Sequence, residues 1–216
     1  MLVMLPDWLA ARTFEAMVPA AQLQVFQEIH AERRIAIVSL MASDAAADVL
    51  GMLGAENVSE ILQKLPKQAL ESILALLRYP ADSAGGVMTN QILRLPANCT
   101  AGKARLNLGA ALDGARFYQV AHLVDPAGCL VGTMTLQEFL LAPDTAALAS
   151  LARAPAAMAL PLEPARQVAS RLIDRQLLSI PVLAPDRRLI GAVTLDAAIA
   201  VMAPESWRSQ APRVFS

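Results

Sequence analysis

The sequence predicts an α+β chain of more than one domain: a solenoid of short helices, then two copies of a small α/β unit. Two observations predict this architecture. Residues 1–79 carry an apolar pattern that repeats every 12 residues with helical spacing, and residues 90–202 contain two segments that superimpose with an offset of 59 residues. The predicted domains are residues 1–89 (helical solenoid), 90–146 (the first copy), 147–203 (the second copy) and 204–216 (a C-terminal tail).

The helical repeat consists of apolar triplets at positions i, i+1 and i+4, which share one face of a helix. Its copies are Thr13-Phe14-Met17, Val25-Phe26-Ile29, Ile37-Val38-Met41, Val49-Leu50-Leu53, Ile61-Leu62-Leu65 and Ile73-Leu74-Leu77. Turn or cap residues separate them, namely Pro19, Ser43-Asp44, Gly54 and Pro66. Helices this short are unstable alone in water, so they must stack around a shared core. His30 occupies a turn position with no second histidine nearby, which predicts a surface residue and not a metal ligand.

The two α/β copies each predict a strand, a turn with proline, a second strand and a helix that begins at a threonine. Leu130–Leu136 corresponds to Leu189–Leu195. The predicted turns are residues 126–128 and 185–187. A helix is expected ahead of each hairpin, at residues 101–115 and 163–175, which predicts the order β-α-β-β-α twice.

The composition and charge of the chain bear on three classes of function: membrane insertion, nucleic-acid binding and catalysis. The chain is 56% hydrophobic, but no stretch approaches the ~20 nearly uncharged residues of a membrane-spanning helix. We therefore expect a soluble, cytoplasmic protein whose two cysteines, Cys99 and Cys129, are reduced thiols. A net charge of −1 argues against nucleic-acid binding. No catalytic constellation or phosphate-binding loop is present, so no enzyme is predicted, and His122 is expected to be a core or interface residue in a strand.

The junction between the two halves is Tyr79-Pro80-Ala81-Asp82-Ser83-Ala84-Gly85-Gly86-Val87-Met88-Thr89. Pro80 ends the preceding helix, and Ser83 is a good N-cap residue. The string resembles the junction of the MgtE-type magnesium transporters, in which a helical N-terminal domain leads into a tandem pair of CBS domains. The Gly-x-x-Thr pattern of each α/β copy is similar to that of CBS domains. The resemblance implies the cytosolic regulatory part of a transporter, without the transmembrane domain, and a homodimer formed through the CBS helices.

The resemblance also implies Mg²⁺ as a ligand. In that family carboxylates of the helical domain and the CBS pair are bridged by Mg²⁺, a hard cation that prefers oxygen ligands. The candidate metal ligands in this sequence are Asp82, Asp174, Asp196 and Glu205. Ala81 and Gln176 stand where the family often has acids, which indicates weakened Mg²⁺ sensing.

CBS pairs often bind adenosine nucleotides through a threonine at the start of the last helix and an aspartate three residues later. The first copy has Thr135 and, three residues on, Glu138. The second copy has Thr194 and Ala197, with Asp196 one position earlier. The nucleotide-binding candidates are therefore Thr135, Glu138, Thr194 and Asp196, and both threonines also suit plain N-caps.

Three functions stay open from the sequence. The first is the sensor module of a magnesium transporter, gated by Mg²⁺-dependent docking of the helical domain on the CBS pair, with the transmembrane domain or another protein as its partner. The second is a stand-alone sensor of adenosine nucleotides, and the third is an interaction scaffold that has lost its ligands. Residues 1–90 carry a net charge of −4 and residues 91–216 one of +3. The two halves could therefore dock without a bridging cation, in which case added salt would loosen them.

Overall fold

The computed structural model describes residues 4–112 and 116–204. This part of the chain divides into two compact units, the helical unit (residues 4–78) and the α/β unit (residues 79–202). The predicted domain boundaries after residues 89, 146 and 203 stay predictions. Each unit is described separately below.

The helical unit consists of six short helices whose first residues are 12 residues apart. They are α1 (Asp7–Glu15), α2 (Pro19–Glu28), α3 (Ala31–Leu40), α4 (Ser43–Gly51), α5 (Ala55–Lys64) and α6 (Lys67–Leu77). The predicted period of 12 is therefore confirmed as one helix and one turn per repeat. His30 is exposed and immediately precedes α3, as predicted.

Each helix of this unit packs against the helix two positions along the chain: α1 on α3, α2 on α4, α3 on α5 and α4 on α6. This stacking buries at least one residue of each predicted triplet, namely Phe14, Phe26, Ile37, Leu50, Ile61 and Ile73. Phe14 and Phe26 lie 5.8 Å apart between ring centroids at the N-terminal end of the core. The sixth repeat departs from the pattern, because Leu74 is 43% exposed while Leu76 is buried.

The start of α4 depends on a residue from another helix. Ala42 occupies the N-cap position of α4 and has no side chain that accepts a hydrogen bond. The Glu15 carboxylate, at the end of α1, accepts the backbone N–H of Ala42 instead. Glu15 is only 3% exposed and has Arg12 as an ion-pair partner at 4.0 Å. This buried carboxylate therefore supplies the cap that the local sequence lacks.

The α/β unit contains five strands and seven short helices within the described residues. In chain order they are α7 (Ala84–Val87), β1 (Ile92–Pro96), α8 (Ala101–Leu106), α9 (Leu108–Leu112), β2 (Phe117–Val124), β3 (Leu130–Thr135), α10 (Leu136–Leu141), α11 (Leu148–Leu151), α12 (Ala165–Asp174), β4 (Ser179–Leu183), β5 (Leu189–Thr194) and α13 (Leu195–Met202). The predicted single helix at residues 101–115 is thus interrupted at Asn107, and its last three residues lie outside the described part.

The first copy has a three-stranded sheet in the order β1-β2-β3, in which β1 is parallel to β2 and β3 is antiparallel to β2. The second copy has only β4 and β5, so the prediction of a full first strand there is wrong. A single parallel bridge, Ala159 to Val182, stands in its place. Pro161 accounts for one of the missing hydrogen bonds. Ala97, at the equivalent position of the first copy, donates its N–H to Val124 O, and proline has no N–H to donate.

The two copies are related by an approximate two-fold axis that passes between their hairpin turns. The N–H of Leu189 donates to Gly128 O at 3.0 Å, and that of Leu130 donates to Arg187 O at 3.4 Å. Arg187 follows Gly128, and Leu189 follows Leu130, by the same 59 residues that relate the sequence copies. Both predicted turns are present at these positions.

The first sheet buries both of its faces. One face packs on the helices of its own copy through Leu93, Leu95 and Leu123. The other face packs on the second copy, where Ile92 and Val124 meet a cluster with Leu183, Leu189 and Ala192. The strands are therefore apolar on both faces, as expected of a sheet covered on both sides. Within residues 4–112 and 116–204, no helix is both long enough and apolar enough to cross a bilayer.

We expect Glu15→Ala to destabilise the helical unit by about 1–3 kcal/mol, because it leaves the buried N–H of Ala42 without an acceptor. Glu28→Ala is the matched control, since Glu28 also ends a helix of this unit but is exposed. Urea unfolding monitored by circular dichroism measures both. Equal unfolding midpoints for the two variants would contradict the assigned role of Glu15.

Candidate functional site

In the first copy Thr135 and Glu138 lie together at the start of α10. Their side chains form hydrogen bonds with each other and with the backbone at that helix start. The Thr135 hydroxyl accepts the N–H of Glu138 at 3.1 Å. The Glu138 carboxylate in turn accepts the Thr135 N–H at 2.9 Å and the Thr135 O–H at 3.0 Å. These bonds form a reciprocal capping box, and they engage the hydroxyl and the carboxylate that the sequence suggests for a nucleotide.

Arg153 adds an ion pair to this arrangement. Its guanidinium lies 2.8 Å from the second carboxylate oxygen of Glu138. Arg153 reaches Glu138 because its backbone pairs with Thr133 of β3 in both directions, at 2.8 and 3.0 Å. The Thr135 N–H, and to a lesser extent the Thr135 hydroxyl and Arg153, hold the pKa of Glu138 below its ordinary value. Glu138 is therefore a stably ionised acid whose partners come from its own chain.

At the equivalent position of the second copy, the chain itself makes fewer side-chain hydrogen bonds. The Thr194 hydroxyl caps α13 by accepting the N–H of Ala197 at 3.3 Å. Ala197 offers no carboxylate, and burial raises the pKa of the neighbouring Asp196 above its ordinary value. Ser179 lies opposite Thr194 in the β4–β5 pairing, and its hydroxyl is buried without a hydrogen-bond partner within the described residues. The second copy thus keeps one buried hydroxyl, that of Ser179, for which the described part of the chain supplies no partner.

The candidate metal ligands lie at different places of the α/β unit. Asp82 is exposed beside the start of α12, where its backbone oxygen accepts the N–H of Ala165 at 2.8 Å. Asp174 is exposed at the end of α12, about 14 Å away along a helix of this length, and accepts a hydrogen bond from Ser170 at 3.2 Å. Glu205 lies outside the described residues.

Asp196 lies at the same end of the α12–α13 pair as Asp174. Leu195 N–H donates to Leu178 O, just beyond the end of α12, and Arg166, near the start of α12, donates to Val201 O at 3.5 Å. These bonds show that the two helices are antiparallel. In the described residues no three His, Cys, Asp or Glu side chains come close enough together to hold a metal ion. The oxygen donors suit Mg²⁺ chemically, but this part of the chain does not gather them into one site.

His122 lies on the face of the first sheet that meets the second copy. It is fully buried in β2, opposite Arg94 of β1 and Thr133 of β3. Neither ring nitrogen has a hydrogen-bond partner within the described residues. Burial, assisted by the positive charge of Arg94, lowers the pKa of His122 to about 4, although the nearby backbone of Leu93 and Val120 opposes the shift. His122 is therefore a neutral interface histidine.

Two residues at the candidate nucleotide-binding positions, Arg153 and Ser179, were not predicted from the sequence. Arg153 gave no signal, because it reaches Glu138 only through the pairing of its backbone with β3. Ser179 could have been found from the strand pairing, since residues directly opposite in a hairpin share a face and Thr194 was already a candidate.

We expect acid to weaken the contact between the two copies through His122. The folded state binds no proton at His122 until the pH nears 4, whereas the unfolded chain binds one near pH 6.5. Folding stability is therefore fully present above pH 6.5 and falls by about 3 kcal/mol as the pH drops from 6.5 to 4.

His122→Leu removes this contribution, so its unfolding free energy should change less between pH 6.5 and 4 than that of the unaltered chain. His30→Gln is the matched control, because His30 is exposed, and it should keep the full slope. Urea unfolding at several pH values gives the slopes. Identical slopes for the His122→Leu variant and the unaltered chain would refute the assigned role.

Comparison with known proteins agrees with this architecture. Residues 1–82 match the family of the MgtE intracellular N domain. The magnesium transporter MgtE of Bacillus subtilis is 27% identical over 186 residues, which is 86% of this chain but only 41% of the transporter. This chain thus spans less than half the length of that relative.

Two solved structures share the fold. The cytosolic domain of the Mg²⁺ channel MgtE, crystallised in complex with ATP, superimposes with a TM-score of 0.85 at 24% identity, covering 93% of this chain and 82% of that one. A cystathionine β-synthase (CBS) pair domain from Shewanella oneidensis MR-1 superimposes with a TM-score of 0.57 at 18% identity, covering 76% of this chain and 95% of that one. The chain is therefore related to the MgtE-type magnesium transporters: residues 1–82 match their intracellular N domain, and the described residues share the fold of their cytosolic part, which includes that of a CBS pair.

Proposed function

We propose that this chain is the regulatory module of a magnesium transporter, lies on the cytosolic side of the membrane and acts without catalysis. The observation that carries the proposal is the combination of an MgtE intracellular N domain with a CBS pair in one chain. Its partner would be a membrane-spanning part of the transporter or a separate protein. Mg²⁺-dependent docking of the helical unit on the CBS pair is the proposed form of gating.

A homodimer through the CBS helices is part of this proposal. Large apolar side chains are exposed on the helices of both copies: Leu106, Leu140, Leu141, Ile173 and Ile199. Exposed apolar side chains on several neighbouring helices are typical of a protein–protein interface.

The scattered carboxylates limit how Mg²⁺ can act. Asp82, Asp174 and Asp196 do not form a closed site, and a cation that keeps most of its water can be shared by acids of separate units or subunits. Weak binding, in the millimolar range, follows from such an arrangement. A sensor of this kind responds to the bulk ion and needs no dedicated cage.

We expect Mg²⁺ at millimolar concentration to raise the melting temperature of the chain more than NaCl of equal ionic strength, because a ligand that binds only the folded state stabilises it by mass action. Asp82→Asn/Asp174→Asn/Asp196→Asn should lose most of the extra rise. Thermal unfolding across a Mg²⁺ titration measures this.

The matched control is Asp125→Asn/Asp144→Asn/Asp186→Asn, which removes the same charge from acids that bond within the chain. Asp125 accepts the N–H groups of Ala127 and Cys129, while Asp144 and Asp186 pair with Arg105 and Arg188. Equal loss of the Mg²⁺ effect in both triple variants would mean that the cation acts only by general screening, and would exclude these three acids as ligands.

Nucleotide sensing is a second candidate, favoured by the buried and unpartnered hydroxyl of Ser179 beside Thr194. We propose that an adenosine nucleotide, if it binds, does so in the second copy, since Glu138 and Arg153 occupy the polar groups of the first. A ribose diol and a phosphate would be recognised by a hydroxyl, a carboxylate and the N–H groups at a helix start.

We expect Thr194→Val to reduce any rise of the melting temperature with AMP or ATP, and Thr135→Val to leave it nearly unchanged. Both variants lose one cap, so each serves as the stability control for the other. Isothermal titration calorimetry with both nucleotides measures the affinities. A larger loss of affinity in Thr135→Val would contradict the assignment, and no response to Mg²⁺ or to nucleotide would favour the scaffold function.

A further inference from the structure

Two segments of eight residues occupy equivalent places in the α/β unit. We name residues 82–89 the first strap and residues 146–153 the second strap. Corresponding residues are 64 positions apart, and each strap contains a four-residue helix at the same place, α7 in the first and α11 in the second. The two straps are thus a second pair of related elements, beside the two hairpins.

The first strap precedes the first copy in the sequence but is bonded to the second. The N–H groups of Ala84 and Gly85 donate to Glu163 O and Pro161 O, both at 2.8 Å. Ala165 N–H donates to Asp82 O at 2.8 Å. Thr89 and Ala192 of β5 exchange two further bonds, at 3.0 and 2.9 Å. Five backbone hydrogen bonds therefore hold the first strap on α12, the loop before it and β5.

The second strap makes the matching contacts with the first copy. Leu148 N–H donates to Cys99 O at 3.0 Å, and Ala101 N–H donates to Ala146 O at 2.9 Å. Arg153 and Thr133 of β3 exchange two bonds, at 3.0 and 2.8 Å. The approximate two-fold axis thus relates the two straps as well as the two hairpins.

A glycine in each hairpin permits the close approach of the strap. A Cβ at Gly191 would lie 2.6 Å from Thr89 O and 2.8 Å from Met88 Sδ. A Cβ at the equivalent Gly132 would lie 2.8 Å from Arg153 O and 2.8 Å from Ala152 Cβ. A methyl group at either position would therefore displace one strap and leave the other untouched.

Resting on the regulatory function proposed above, we propose that the first strap is the transmission element of this module, through which the helical unit acts more strongly on the second copy than on the first copy that follows it in the sequence. The helix α6 ends at Leu77, only five residues before the strap begins. A pull on Asp82 or Ala84 reaches the start of α12 and the loop before it directly through hydrogen bonds, and a pull on Thr89 reaches β5 in the same way. The start of α8 and β3 are held by the other strap.

Hydrogen exchange on the whole chain tests whether the straps open separately. In Gly191→Ala, amide exchange at Ala84, Gly85 and Thr89 should become at least about tenfold faster, while exchange at Leu148 and Arg153 changes by less than about twofold. Gly132→Ala should give the reverse pattern. Trypsin provides a second measure, because Arg78 lies just ahead of the first strap and Arg153 ends the second.

Ser83→Ala is a milder variant in case Gly191→Ala does not fold. The Ser83 hydroxyl accepts Gly86 N–H at 3.2 Å and donates to Pro80 O at 2.6 Å, and the equivalent residue of the second strap is already Ala147. This variant should speed exchange in the first strap alone, by a smaller factor. If amide exchange became equally faster in both straps, the proposal that the straps open separately would be wrong. It would also be wrong if exchange in the first strap became no faster in either variant.

Leu76→Ala tests the transmission itself, because Leu76 is a buried residue of the last helix in the helical unit. Exchange at Ala165 and Ala192 should become faster, while exchange at Ala101 and Thr133 stays unchanged. Equal responses at both pairs of amides, or no response at Ala165 and Ala192, would refute the proposed route.

Discussion

The fold of the α/β unit depends on backbone pairing between each strap and the opposite hairpin. This pairing joins Thr89 to Ala192, residues that are about a hundred positions apart, and it requires a residue without a side chain at position 191. Such contacts are non-local, so forming them carries a loop-closure cost. They hold the α/β unit together alongside the apolar face that the two copies share.

The same constraint explains the junction from Tyr79 to Thr89, which the sequence alone presents as an interdomain turn. Ser83 caps a four-residue helix, and a Cβ at Gly85 would lie 2.5 Å from the Tyr79 ring. The small and cap-forming residues thus let the chain pack tightly on itself and then on α12. The string thus specifies a docked element of the α/β unit.

The helical unit was predictable because its signal is local. The apolar triplets, which recur every 12 residues, predict the position of every helix to within a few residues. They do so although most of the N-cap residues do not cap through their side chains: Pro6, Val18, Ala42, Gly54 and Pro66. The cap that Glu15 supplies to α4 was not predictable, since it joins residues 27 positions apart. Likewise, the hydrogen bond that Pro161 cannot donate in the second copy becomes apparent only when the partner strand is known.

At the candidate sites the structure shows how the polar groups of each copy are bonded, which the sequence alone does not give. Thr135 and Thr194 both begin helices as predicted, and from the sequence the first copy looks the more complete, because it has an acid three residues after the threonine. In the structure that acid caps its own helix and pairs with Arg153 of the second strap. Two copies with the same fold therefore differ in which polar groups their own contacts engage. A ligand of the second copy would lie beside β5, which makes hydrogen bonds to the first strap, and beside α13, which follows β5 directly. The first strap would therefore be a direct route by which ligand binding affects the helical unit.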